Sequence, residues 1–248
     1  MSSSPFHISR GRLIVIEGAD GTGKTTQLST LAARLRAVGH DVASYDFPSK
    51  GGSPIGELIG SFLRGSFGPV TPEFLSLAFS IDRLTMRDAI LSDLAAGRFV
   101  LCDRYVSSNI AFQSAKLDDP TRKTELDRLL RWLEYETFGL PHPDLEIAMV
   151  ARDSYFETGR HLLRSIDPSR AYAEGHADIH ERETGLQLAV NAYYHGLANA
   201  RSVRLLEIDP DEVRLDIDKV SDLIWAMLVA SGMDVAEQSA ATENSHVD

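Results

Sequence analysis

Gly18-Ala19-Asp20-Gly21-Thr22-Gly23-Lys24-Thr25 is the stretch on which the reading of this chain turns. It satisfies the spacing G-x-x-x-x-G-K-[ST], which chance produces in a chain of this length on the order of one time in a hundred. Small residues let successive backbone N–H groups curl around phosphate oxygens, and the N-terminus of a following helix adds a favourable dipole. In such a loop Lys24 would bridge the β- and γ-phosphates of ATP, and the Thr25 hydroxyl would ligate Mg²⁺. The donor nucleotide is thus expected on Gly18, Ala19, Asp20, Gly21, Thr22, Gly23, Lys24, Thr25 and Thr26. The bland alternative is a plain glycine turn with Lys24 in solvent.

The flanks favour the phosphate loop. Leu13 to Ile16 is an apolar, partly β-branched run, the pattern of a strand buried on both faces. Beyond the loop, Leu28, Leu31, Ala32, Leu35 and Val38 form one helical stripe, and Gly39 is placed to end it. Asp41 to Phe47 reads as a second strand, stopped by Pro48 and the Gly51-Gly52 pair. A long helix is predicted over Thr71 to Ala96, with Thr71 as N-cap and Pro72 in the first helical position. Its apolar stripe is Phe74, Leu77, Ala78, Ile81 and Leu84, which leaves Phe79 and Arg83 together off the core face. Phe99 to Cys102, Leu145 to Val150 and Val203 to Ile208 supply three more strands. Helices are predicted over Thr121 to Phe138, Ser154 to Ser165, Asp178 to Ala200 and Asp211 to Ser231, the last ended by Gly232. Alternating β and α segments imply an α/β fold, a three-layer α/β/α sandwich around a five-stranded parallel sheet. One domain is expected over residues 12–232, with 1–11 and 233–248 as polar tails without regular structure.

Composition narrows the function. A formal net charge of −11 excludes a broad basic face for nucleic acid. The stretch Met1 to Arg10 is polar and lacks the apolar core of a secretory signal, and Leu223 to Ala230 is too short to span a bilayer. With a single cysteine, Cys102, no internal disulfide can form, and a cytoplasmic setting follows. A GTPase switch is a poor fit. No D-x-x-G occurs downstream of the loop, and Lys116-Leu117-Asp118 is preceded by Ala115 rather than Asn.

Five segments, in order, resemble the thymidylate kinase family of P-loop nucleoside monophosphate kinases. They are Ile16-Glu17-Gly18-Ala19-Asp20-Gly21, Phe47-Pro48, Phe79-Ser80-Ile81-Asp82-Arg83, Asp103 through Gln113 beginning Asp103-Arg104-Tyr105, and Gly139-Leu140-Pro141-His142-Pro143-Asp144-Leu145. The resemblance implies transfer of the ATP γ-phosphoryl group to dTMP, a helical lid near residues 153–177, and a homodimer. It places dTMP against Asp20, Phe47, Pro48, Lys50, Phe79, Arg83, Arg104, Asn109, Phe112 and Gln113. Phe79 would stack on thymine, Arg83 would bond its exocyclic oxygen, and Asn109 would read the base. Phe112, where many relatives have Tyr, would lie under the sugar. Arg104 would grip the acceptor phosphate, Asp103 would hold Mg²⁺ through water, and Asp20 would position the acceptor rather than take a proton. Catalysis would then rest on Asp20, Lys24 and Arg104, with Arg160 and Arg164 from the lid and Arg170 a third candidate cation. Because Gly21 occupies a loop position that carries Arg in some relatives, the catalytic cation is expected from the lid. Two departures stand out: Ser49-Lys50 follows Phe47-Pro48 where Arg is common, and the lid stretch Ile166 to His176 matches no family pattern. Three other readings stay open: another monophosphate such as dUMP, a deoxynucleoside kinase, and a nucleotide-binding regulator without turnover.

Overall fold

The structure is a computed structural model that describes residues 10–49, 53–66, 68, 70–159, 162, 183–199 and 203–235. Five strands form one parallel sheet: β1 (Arg12–Gly18), β2 (Val42–Asp46), β3 (Phe99–Asp103), β4 (Leu145–Val150) and β5 (Val203–Glu207), in the order β2-β3-β1-β4-β5. Leu13, Ile14, Val15 and Ile16 are all completely buried. They divide by strand alternation: Ile14 and Ile16 enter one core cluster, while Leu13 and Val15 enter the other. A continuous apolar run is therefore what a strand needs when helices cover both faces.

The first face is covered by α1 (Lys24–Ala37), α7 (Thr184–Gly196) and α8 (Ile217–Ala230). The second is covered by α3 (Pro72–Ala95) and α5 (Pro120–Arg131), while α4 (Val106–Ser114) contributes to both clusters. The remaining α-helices described are α2 (Pro54–Leu63) and the short α6 (Asp153–Glu157). Register puts Ile16 beside Asp103 and Gly18 beside Met149, so the C-terminal ends of β1, β3 and β4 lie level. Because β1 has β3 on one side and β4 on the other, the loop after β1 opens at the point where the winding direction reverses. Ligands of open α/β sheets bind at such a crevice.

Several expectations are corrected by tertiary packing. On α3, Phe74, Leu77 and Ile81 are 60%, 43% and 40% exposed, while Ser76, Ser80, Asp82 and Arg83 are buried. The helix does start as its caps imply, with Thr71 Oγ1 accepting from the Phe74 N–H and Pro72 in the first turn. Only its inward face differs, because the polar residues find buried partners on other elements. The region expected as one helix over Thr121 to Phe138 is α5 followed by a π-helical segment, Trp132–Thr137. The last helix begins later than expected: Asp211 and Glu212 have φ of 54° and 62°, and a loop precedes α8. Neither α2 nor its contact with α3 was foreseen. Met233 and Val235, assigned to a tail, are buried in the first cluster.

Candidate active site

The loop after β1 is held by its own atoms. Gly18 has φ of +141°, and a Cβ there would meet Met149 O at 2.4 Å, so only glycine fits. Gly23 has φ of +99° at the N-terminus of α1. Ala19 O accepts from both Lys24 Nζ, at 2.8 Å, and Thr22 Oγ1, at 3.0 Å, so the ammonium is folded into the loop. Thr25 Oγ1 donates to Asp103 Oδ2 at 2.6 Å, and Asp103 Oδ1 is buried without a hydrogen-bond partner among the described residues. Thr26 points outward, its carbonyl accepting from the Thr30 hydroxyl. From outside the loop, the Tyr155 hydroxyl donates to Gly21 O at 2.8 Å, and Arg214 Nη2 donates to Thr22 O at 2.6 Å.

Asp20 and Arg104 meet across the crevice. Arg104 Nη2 is paired with Asp20 Oδ1, while Nη1 donates to Ser108 Oγ at 2.9 Å and Gly18 O at 3.2 Å. The guanidinium lies 4.9 Å from the centre of the Phe112 ring, a cation–π contact. Arg104 has φ of 69°, an uncommon conformation for a non-glycine residue. Its backbone N–H is anchored on Ile16 O, and the next helix is capped from β1, where Glu17 Oε1 accepts from the N–H groups of Tyr105 and Ser108. Burial opposes the charge of Arg104, but Asp20 and Asp103 more than offset it, so its pKa is raised and it stays cationic.

A second cluster lies between α3, α4 and the π-helical segment. Glu134 is fully buried and accepts from Arg83 Nε at 2.5 Å, Arg83 Nη2 at 2.6 Å and Ser80 Oγ at 2.7 Å. Asn109 Nδ2 donates to Ser76 O at 3.0 Å and reaches Ser80 Oγ and Glu134 Oε1 at 3.2 Å. Those contacts fix which end of the amide is nitrogen, and they leave Asn109 Oδ1 buried with no hydrogen-bond partner among the described residues. Phe79 is half-buried, packed on a cluster of Ile59, Leu63 and Ala78. Phe47 is 2% exposed and packs near Tyr105 in the second core cluster, and the Phe47–Pro48 peptide is cis. Ser49, next in the chain, is tied to Asp82 through its N–H and hydroxyl at 2.7 and 2.5 Å. Gln113 is fully buried, with Oε1 accepting from Lys116 Nζ at 3.0 Å.

Several of the sequence-predicted residues gather in two groups. Lys24, Thr25, Asp103, Asp20 and Arg104 are linked by direct contacts or through the loop, and Arg83 and Asn109 are linked through Glu134. Arg83 is 1% exposed and ion-paired, which corrects its expected place off the buried face. Lys50, Arg160, Arg164 and Arg170 lie outside the described residues. Five residues that touch this constellation were missed: Glu17, Glu134, Tyr155, Gln187 and Arg214. A signal existed for Gln187, since Gln187, Asn191 and Tyr194 set polar groups at core spacing on one helix.

Residues 16–149 match a family model described as thymidylate kinase. A thymidylate kinase of Thermomicrobium roseum is 35% identical over 216 residues, covering 86% of this chain and 92% of its own. One of Mycobacterium tuberculosis is 32% identical over 189 residues, covering 75% and 85%. The structure of thymidylate kinase from Candida albicans superposes with a TM-score of 0.69 at 25% identity, covering 90% of this chain and 93% of that one.

Proposed function

The chain belongs to the thymidylate kinase family, and from that premise we propose that it transfers the γ-phosphoryl group of ATP to dTMP, giving ADP and dTDP. Asn109 carries the choice of acceptor. Its Oδ1 is a buried acceptor in need of a donor, while Arg83 beside it commits Nε and Nη2 to Glu134. Thymine offers N3–H to Asn109 Oδ1 and O4 to the Arg83 guanidinium. Cytosine offers an acceptor and a donor at the same two places, leaving both protein groups unmatched. Mismatches of buried polar groups give discrimination of about 10⁴-fold or more, whereas a single methyl group in an apolar pocket gives roughly 10- to 200-fold. Selection against dCMP should therefore be much stronger than selection against dUMP.

The acceptor's attacking phosphate oxygen is already ionised, so the chemistry calls for positioning and charge neutralisation rather than a base. Lys24 would exchange its contact with Ala19 O for the β- and γ-phosphates, and Arg104 would hold the acceptor phosphate. Thr25 and Asp103 form a hydroxyl–carboxylate pair with one unpartnered carboxylate oxygen, a donor set that suits a hard divalent cation. Mg²⁺ bound there would neutralise charge on the transferring group. Asp20 would position the acceptor through Arg104, Phe112 would exclude a ribose 2′-hydroxyl, and Phe79 would stack on the base. Phe47, Pro48 and Gln113 belong to the same proposed acceptor wall, and Lys50, Arg160 and Arg164 to its cations. No helix among the described residues is long and apolar enough to cross a membrane, and a cytoplasmic setting belongs to the same reading.

A coupled assay with ATP and Mg²⁺ against dTMP, dUMP, dCMP and thymidine tests the proposal. We expect the highest kcat/KM for dTMP and no measurable turnover of dCMP. Faster phosphorylation of thymidine or dCMP than of dTMP would overturn it.

A further inference from the structure

The spacing i, i+4, i+7 normally brings apolar side chains to the core side of a helix. On α7 it brings Gln187, Asn191 and Tyr194, which are 0%, 1% and 0% exposed. A polar group so deeply buried destabilises the fold unless it finds a partner, and each does. Asn191 accepts from the Ala151 N–H at 3.1 Å and donates to Ala151 O at 2.7 Å, at the end of β4. The Tyr194 hydroxyl donates to Glu17 Oε2 at 2.9 Å. Gln187 directs both ends of its amide at one residue: Oε1 accepts from the Asp20 N–H at 2.8 Å, and Nε2 donates to Asp20 Oδ2 at 2.9 Å.

This clasp acts on two degrees of freedom. The first bond sets the peptide plane of residue 20 within the phosphate loop; the second sets the torsion of its carboxylate. With Oδ2 on Gln187, Oδ1 faces Arg104, whose other terminal nitrogen is held by Ser108 and Gly18 O. A bare need to satisfy the Asp20 N–H would be met by any acceptor. The Nε2 bond goes further, because it holds the carboxylate itself. We propose that Gln187 is a positioning residue of phosphoryl transfer, acting through Asp20 to keep Arg104 directed at the acceptor phosphate. The inference rests on the roles proposed above for Asp20 and Arg104.

Three variants test it in the full-length enzyme. Gln187→Met keeps the length and removes both bonds; kcat should fall on the order of tenfold to a hundredfold with KM for ATP unchanged. Gln187→Glu keeps an acceptor for the Asp20 N–H but can donate to the carboxylate only when protonated. Among the described residues, the charged groups around that position include Asp20, bonded to it directly, Arg104 beyond Asp20, and Glu17 behind Tyr194. Burial and the Asp20 charge raise the pKa of the introduced acid, so kcat should approach wild type on the acid side and fall as pH rises. The wild-type amide cannot titrate, so it lacks that limb. Asp20→Asn combined with Gln187→Met should lose no more than Asp20→Asn alone. A normal kcat in Gln187→Met, a Gln187→Glu profile parallel to wild type, or additive losses would each overturn the proposal. Should Gln187→Met fail to fold, the pH profile of Gln187→Glu decides. Normal turnover by Asp20→Asn would remove the role of Asp20 itself, and absence of dTMP turnover in the wild type would remove the functional reading.

Discussion

Glu17 sits directly behind the phosphate loop with no exposed surface. Burial, and after it the neighbouring Glu146 carboxylate, pushes its pKa up to about 8, against the opposing pull of Arg104. The folded state therefore holds this proton more tightly than the unfolded chain. The stability it contributes is fully present below the ordinary carboxylate range and is lost as pH rises through about 8. We expect the melting temperature, followed by circular dichroism, to decline over that interval. Glu17→Gln mimics the protonated acid: its oxygen can still accept from Tyr105 and Ser108, and its amide can donate to the Tyr194 oxygen. The variant should flatten the decline, and an unchanged slope would assign it to other groups.

At the scale of elements, the π-helical segment and the loop before α8 do the most to shape the site. The Phe138 N–H reaches back to Leu133 O, the wide turn of a π-helix, and Glu134 within that turn faces inward under α3 and α4. There it balances Arg83 and orients Asn109. Glu134→Gln keeps the shape but leaves the Arg83 guanidinium buried without its counter-charge. Breaking a buried pair in this way costs about 3–5 kcal/mol. Chemical denaturation should register a loss of that size, and KM for dTMP should rise while KM for ATP stays put. The loop before α8 acts on the phosphate loop. Asp211 and Glu212 adopt positive φ, the Leu215 N–H returns to Ile208 O, and Arg214 is thereby brought onto Thr22 O and over the Tyr155 ring.

For the molecule as a whole, the parallel sheet sets the level of the strand ends around the phosphate loop, and the outer face of α3 leaves large apolar side chains exposed. Phe74, Leu77 and Ile81 lie at i, i+3 and i+7 and are exposed, so α3 offers an apolar stripe on the side away from Arg83. A homodimer packed through that stripe would bury it against a second copy of the helix that bears Phe79 and Arg83. Sedimentation should find a dimer in the wild type and a monomer in the double variant Leu77→Glu, Ile81→Glu. A monomeric wild type, or a dimer untouched by the two charges, would remove α3 from the interface.

What the sequence determined by itself is local. The phosphate loop, the buried strands and the caps of α3 depend on neighbours a few positions apart, and glycine spacing, apolar runs and the Thr71-Pro72 pair encode them directly. The parallel α/β class follows from the same local alternation, whereas the strand order β2-β3-β1-β4-β5 was decided by the tertiary structure. The tertiary structure decided which face of α3 turns inward, because Arg83 is neutralised by Glu134, 51 positions later. It also supplied the partners of the loop: Gln187 reaches Asp20 across 167 positions and Arg214 reaches Thr22 across 192. No periodicity links residues so far apart. A charge or an amide can be buried only where a complementary group already waits, and only the folded sheet brings the two together.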